Sequence, residues 1–159
     1  MTDEDSGYEP LVREVESVRE GARKVSSELL DIIALQGKVS EPGPGVGLCG
    51  ERDPDTFYTI SHPWSLTEVP VPQMEQAMQR LYEELPKRGW EIISYGPAES
   101  EARSLTLIAD YNEGDKRFSV NAQLRDSRNK GANANASRIL VTVVSACYQV
   151  PEGQVVEGY

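Results

Sequence analysis

Histidine occurs once, as His62, and cysteine twice, as Cys49 and Cys147. A zinc site built on two histidines or on several thiolates is therefore excluded. No Gly-Lys-Ser/Thr triplet is present, which removes a Walker-type phosphate loop, and no Gly-x-Ser-x-Gly elbow is present, which removes the usual setting of a nucleophilic serine. Long apolar runs are missing too: nothing approaches the roughly 20 residues that cross a bilayer. Positive charge is scarce, with 16 Lys and Arg against 26 Asp and Glu and a formal net charge of -10. Such a field repels phosphate backbones and anionic head groups, so nucleic acid is not an expected partner. The start, "MTDEDSGYEP", has neither the basic nor the apolar region of a secretory signal. No motif calls for a cofactor.

What is present suits one domain, since 159 residues can bury a core if nearly all of them fold together. Residues 1–9 are acidic and small and are expected to be disordered. Residues 10–155 are expected to form a single domain, made of a helix at 10–37, a Pro/Gly linker at 38–55 and a helix-on-sheet core at 56–150, with 151–159 as a tail.

From Pro10, apolar residues recur at Leu11, Val15, Val18, Ala22, Val25, Leu29 and Ile32 in alternating steps of four and three, a heptad seam flanked by Glu14 and Arg19. One use of such a seam is a homodimeric coiled coil. The favoured use is an amphipathic helix laid on its own sheet, because the seam is short and Gly21 interrupts it. A strand "TFYTISHPW" follows the linker, stopped by Pro63. A second amphipathic helix places Met74, Ala77, Met78, Leu81 and Leu85 on one face, with Pro86 in its last turn and Gly89 at its C-cap. Four strands then succeed one another: "WEIISYG", "RSLTLIADY", "KRFSVNAQLR" and "RILVTVVSACYQV", with "NEGD" as a hairpin turn. In the third, Phe118, Val120, Ala122 and Leu124 face inward, while Arg117, Ser119, Asn121, Gln123 and Arg125 face water. The fourth is apolar on both faces and is expected to be central or helix-covered. The order α-β-α-β-β-β-β predicts an α+β fold, both helices on one face of an antiparallel sheet of about five strands.

The stretch "EPGPGVGLCG" carries Gly45, Gly47 and Gly50 at the spacing G-x-G-x-x-G. That fingerprint needs a strand entering the first glycine and a helix leaving the last. Here a predicted helix and two prolines precede it and the turn "ERDPD" follows, so the glycines read as a flexible tether. Three readings stand for the cysteines: a Cys49–Cys147 disulfide, two independent buried thiols, and a reactive thiol with His62 as base. The disulfide is favoured, since a loop of about a hundred residues closed by it is worth roughly 4 to 5 kcal/mol in the chain-entropy estimate. Nothing in the sequence positions His62 beside either sulfur. A disulfide implies an oxidising, extracytoplasmic compartment; the alternative is the cytoplasm.

The segments "RGWEIISYGP", "DKRFSVNAQL" and "RILVTVVSACYQVPEG", with "GVGLCG" ahead of them, resemble small exported lipoproteins of actinomycetes, domains of unknown function. The resemblance covers roughly residues 40–155. It implies an N-terminal membrane anchor, a helix and an outward-facing α+β domain with two cysteines, and it brings no activity with it. This chain departs from that pattern in having no lipid-acceptor cysteine near its start.

The remaining candidates are weighed on their chemistry. Arg125, Arg128, Lys130 and Arg138 cluster around the Gly/Ala/Asn-rich segment "LRDSRNKGANANASR", basic in an acidic chain, and offer a partner-binding surface or a solvated loop. His62 and Trp64, with Trp90, mark an alternative cleft in which a lone imidazole acts as general base. The leading expectation is a non-catalytic extracytoplasmic module, anchored to the membrane in its full-length form. It would bind an unknown protein or cell-envelope component through the wet sheet face, the basic hairpin or the helix-one seam. The alternative is a small hydrolase or ligand carrier built on the His62 cleft.

Overall fold

Period-two alternation dominates the second half of the chain, and it produces strands with one buried side. The computed structural model describes residues 10–40, 43–97, 104–114, 116–125 and 137–157, and within them nine strands and two helices. In chain order they are β1 Leu11–Val12, α1 Val15–Ile33, β2 Lys38–Ser40, β3 Gly45–Gly47, β4 Phe57–Thr67, α2 Val71–Glu84, β5 Glu91–Pro97, β6 Leu105–Glu113, β7 Lys116–Arg125, β8 Arg138–Ser145 and β9 Tyr148–Gln149. The sheet runs β1-β9-β4-β8-β7-β6-β5, with β2 and β3 also paired to β4. Only β1 and β9 are parallel neighbours; every other pair is antiparallel. The fold is α+β with both helices on one sheet face, as expected, but the sheet is larger than the expected five strands. The four additional strands have two or three residues each, too short for periodicity to mark.

The heptad seam begins later than its spacing suggests. Leu11 belongs to β1, where Arg13 donates its backbone N–H to Gln149 O at 2.9 Å, and α1 starts only at Val15. The helix stops at Ile33 rather than near Gly37, because Ala34 turns left-handed at φ 57°. Arg80 of α2 then donates its Nε to Ile32 O at 3.1 Å and a terminal nitrogen to Ile33 O, so one helix satisfies carbonyls that the other leaves open. Val18, Ala22, Leu29 and Ile32 are buried under the sheet's helix-side face. The apolar stripe that a coiled-coil homodimer needs is thus already covered within one chain. Gly21 does not simply interrupt the seam: a Cβ there would lie 2.9 Å from the Phe118 ring, so glycine lets α1 approach β7.

Pro63 does not stop its strand. β4 continues to Thr67 because the proline falls where no donor is needed. Ile60 sends its N–H toward β8, to Ser145 Oγ at 2.9 Å, so alternate residues 61, 63 and 65 point theirs to the opposite edge. On that edge β3 ends at Gly45, opposite Ser61, and β2 pairs from Ser40, opposite Ser65. Pro63 sits in the interval. The predicted linker 38–55 therefore contributes two strands and is held further by Arg19 Nε on Pro44 O at 3.3 Å. Within 151–157, Val156 is buried and donates its N–H to Asp55 O at 2.9 Å. The expected disordered segment 1–9 lies outside the described residues.

Tyr58, fully buried on β4, donates its hydroxyl to Arg13 O at 2.7 Å and so ties β1 to the core. Burial pushes its phenol well above the ordinary 10.0, against a smaller opposing pull from Arg13. The unfolded chain gives up this proton near pH 10 while the folded chain keeps it, so the unfolded state binds fewer protons and stability falls as pH rises above about 10. Urea unfolding across that window is expected to show this alkaline decline, and Tyr58→Phe to flatten it while losing about 1 kcal/mol at neutral pH. An unchanged alkaline slope in the variant would show that Tyr58 does not carry it.

Candidate functional site

Both helices pack on the face of the sheet that carries Ile60, Leu66, Leu107, Val120 and Val141. The opposite face follows from the same alternation. Ser119, Asn121, Gln123 and Arg125 project from β7, and Arg138, Leu140, Thr142 and Val144 from β8. Register sets Ser119 opposite Val144, Asn121 opposite Thr142, Gln123 opposite Leu140 and Arg125 opposite Arg138. Ser61, Pro63 and Ser65 of β4 extend the first three of these rows. Among the described residues no helix covers this side. The sheet curls, and seven of these residues, Arg138 excepted among those of β7 and β8, line a concavity of about 370 Å³. That is near the small end of ligand sites, roughly 300–1,000 Å³.

The chemistry of the concavity changes along its length. Its middle offers two carboxamides and two hydroxyls, able both to donate and to accept, beside the apolar Leu140 and Val144. One end is basic, where two arginines oppose each other across the β7–β8 pair. Like charges in that position destabilise a sheet by roughly 0.2–1 kcal/mol, so folding alone does not account for them. Arg125 gives its Nε to Gln123 Oε1 at 3.2 Å, and Arg138 Nε is buried with no hydrogen-bond partner among the described residues. The other end is acidic: Glu91 and Asp110 oppose each other on β5 and β6, and Asp110 stands opposite Ser119. Of the basic cluster read from the sequence, the structure brings together Arg125 and Arg138; Arg128 and Lys130 lie outside the described residues. The polar positions of β7 were legible as water-facing. Their union with Leu140, Thr142 and Val144 was not, because it depends on register across a loop whose length does not fix it.

The sequence-derived cleft is in the core. His62, Trp64 and Trp90 are at most 4% exposed. His62 and Trp64 share the helix-side face of β4 and are joined through Ser26 of α1: Trp64 Nε1 donates to Ser26 Oγ at 3.0 Å, and that oxygen lies 2.8 Å from His62 Nδ1. The serine hydroxyl thus bridges the indole and the imidazole. Trp90 is elsewhere, following the 3-10 turn Leu85–Arg88 and packed on Tyr111 at 5.3 Å between ring centroids. No general base faces solvent in this arrangement. Ser26, His62 and Trp64 join α1 to β4.

Cys49 and Cys147 are disulfide-bonded, with Cα atoms 5.7 Å apart, so the reading with His62 as partner of a reactive thiol is removed. Cys147 lies between β8 and β9 rather than inside one long strand. The register slips by one residue there, and Ser145 Oγ fills the break by accepting from Ile60 N and donating to Ala146 O at 2.7 Å. Gly45–Gly47 pairs as a strand and no helix follows Gly50, which leaves a dinucleotide fingerprint without its context.

Ser26→Ala deprives both His62 Nδ1 and Trp64 Nε1 of a buried partner. It is expected to lower the unfolding free energy by about 1–3 kcal/mol. Denaturant unfolding checks this, and a loss under about 0.5 kcal/mol, the range of ordinary surface substitutions, would count against the serine as the link between α1 and β4.

Comparison of the chain with models of known families, with curated proteins and with solved structures finds no match in any of the three.

Proposed function

We propose that this chain is a non-catalytic binding module that works outside the cytoplasm and takes its ligand on the uncovered, concave face of the sheet. The observation that carries this reading is the one-sided placement of the helices. A five-strand surface, β4 to β5 through β8, β7 and β6, is left with hydroxyls, carboxamides and a few aliphatics in a curved floor. Half-covered antiparallel sheets commonly keep one wet face, but a concave wet face with a charged end exceeds what solubility requires. A non-catalytic role is supported by the burial of the single histidine and by the pairing of both cysteines. Among the described residues no group of three or more His, Cys, Asp or Glu is placed to hold a metal.

The disulfide supports the extracytoplasmic part, because such bonds persist where the surroundings oxidise. No helix of the described residues is long and apolar enough to cross a membrane, so the anchor implied by the lipoprotein resemblance would be supplied by another segment.

Two measurements test the reading. An ¹⁵N-labelled sample titrated with a pool of tripeptides and, separately, with a pool of trisaccharides is expected to shift the amides of Asn121, Gln123 and Thr142, and Thr142→Trp is expected to abolish those shifts without lowering the thermal midpoint. Shifts confined to α1 and α2, or none from either pool, would overturn the binding face. For the compartment, alkylation of the native protein without reductant is expected to add no mass, and replacing both cysteines by alanine to cost about 4 kcal/mol of stability. Two alkyl groups added without reductant would remove the case for export.

A further inference from the structure

Resting on the reading of the concave face as a binding surface, we infer that its ligand is an extended peptide whose terminal carboxylate seats between Arg125 and Arg138. Four observations converge on this chemistry. The two arginines are register partners on the same sheet face, and Arg125 lines one end of the concavity. Arg138 Nε is a buried donor with no hydrogen-bond partner among the described residues, so that atom of the guanidinium is not held by a carboxylate or carbonyl of the fold. Arg125 engages Gln123 through Nε and makes no ion pair among the described residues, so its two terminal nitrogens remain able to fork onto a carboxylate. Asn121 and Gln123, next along β7, present a donor and an acceptor each, the complement of a peptide group.

Competing ligands fit less well. Among the described residues the lining has no aromatic ring, the stacking surface that sugar rings and bases use. A polyanion would meet the chain's net charge of -10, whereas one carboxylate is held by short-range bonds in a partly desolvated place. The acidic pair Glu91 and Asp110 lies toward the other end, so the surface is electrically polar along the strands. It orients a bound peptide with its carboxylate at the arginines and its amine toward Asp110. From Ser119 to Arg125 the strand rises about 20 Å, the span of an extended chain of about six residues.

The probe is the hexapeptide Lys-Ala-Ala-Ala-Ala-Ala, used as the free acid and as the C-terminal amide, with trigalacturonate, which carries a carboxylate on every unit, as the sugar-acid comparison. In ¹⁵N titrations the free acid is expected to shift the amides of Asn121, Gln123, Leu140 and Thr142, and the amide form to bind at least tenfold more weakly. Arg125→Gln and Arg138→Gln are each expected to weaken the free acid at least tenfold and leave the amide form unchanged. Relief of the like-charge pair should keep the thermal midpoint of both variants at or above the parent's, so that lost binding is not lost folding. If acid and amide shift the same face equally, the carboxylate assignment is overturned while the face remains a binding surface. If trigalacturonate binds there and the peptide does not, the peptide assignment is overturned. If neither shifts any amide of β7 or β8, both this inference and the binding-face reading fail.

Discussion

The pairing of β4 on both of its edges is the constraint from which the rest of the structure follows. Its 11 residues meet β8 and β9 on one side and β3 and β2 on the other, while its helix-side face carries Tyr58, Ile60, His62, Trp64 and Leu66 into the core. Backbone donors and acceptors of a buried strand must find partners, and both halves of β4 do so only because the segment after α1 doubles back along it. The disulfide joins the two flanks of this strand, Cys49 just beyond β3 and Cys147 between β8 and β9. A single covalent bond therefore holds in place the Pro/Gly segment, whose own composition supplies little apolar surface to bury.

With both helices packed against one face of β4, β7 and β8, the other face has no cover, and its composition records that exposure. Along β7 serine, asparagine and glutamine alternate with buried Phe118, Val120, Ala122 and Leu124. Hydroxyls and carboxamides stay hydrated on a surface that curvature half encloses, and they avoid the desolvation cost that charges would meet in its floor. Charge is held at the ends instead. The free edge of the sheet, β5, is guarded against pairing with other chains by the register irregularity between Ile92 and Ser94 and by Pro97 at its end. Among the described residues the long concave face is the surface that no helix covers.

What could be read in advance was whatever one segment determines by itself. The second helix with Met74, Ala77, Met78 and Leu81 inward, the hairpin at "NEGD", and the alternation of β6 and β7 are each set by a local period and a turn residue, and the structure has them. What escaped is set by partners far away. Leu11 satisfies the helical spacing as well as Val15 does, and only Tyr148, 137 positions later, makes it a strand residue. Pro63 reads as a strand breaker until the interval between β3 and β2 is known. Gly45 and Gly47 read as flexibility until Ser61 and Thr59 are found across from them. The site divides in the same way: the polar face of β7 was visible, but the opposition of Arg125 and Arg138 exists only after β8 has paired.

The inferred carboxylate seat would let an acidic protein hold one anionic group without attracting the anions that surround it. At distances beyond the roughly 8 Å over which physiological salt leaves charges visible, a molecule with net charge -10 offers negative ligands no steering. Discrimination is then left to contact, where two forked guanidinium groups reward a planar, singly charged group and a floor of amides and hydroxyls rewards a neutral chain attached to it. A polymer charged at every unit gains the same end contact but must lay its remaining charges against an acidic surface that includes Asp110. Such a seat would select a ligand that is anionic at one end only, and the negative charge of the surrounding domain would be part of its selectivity.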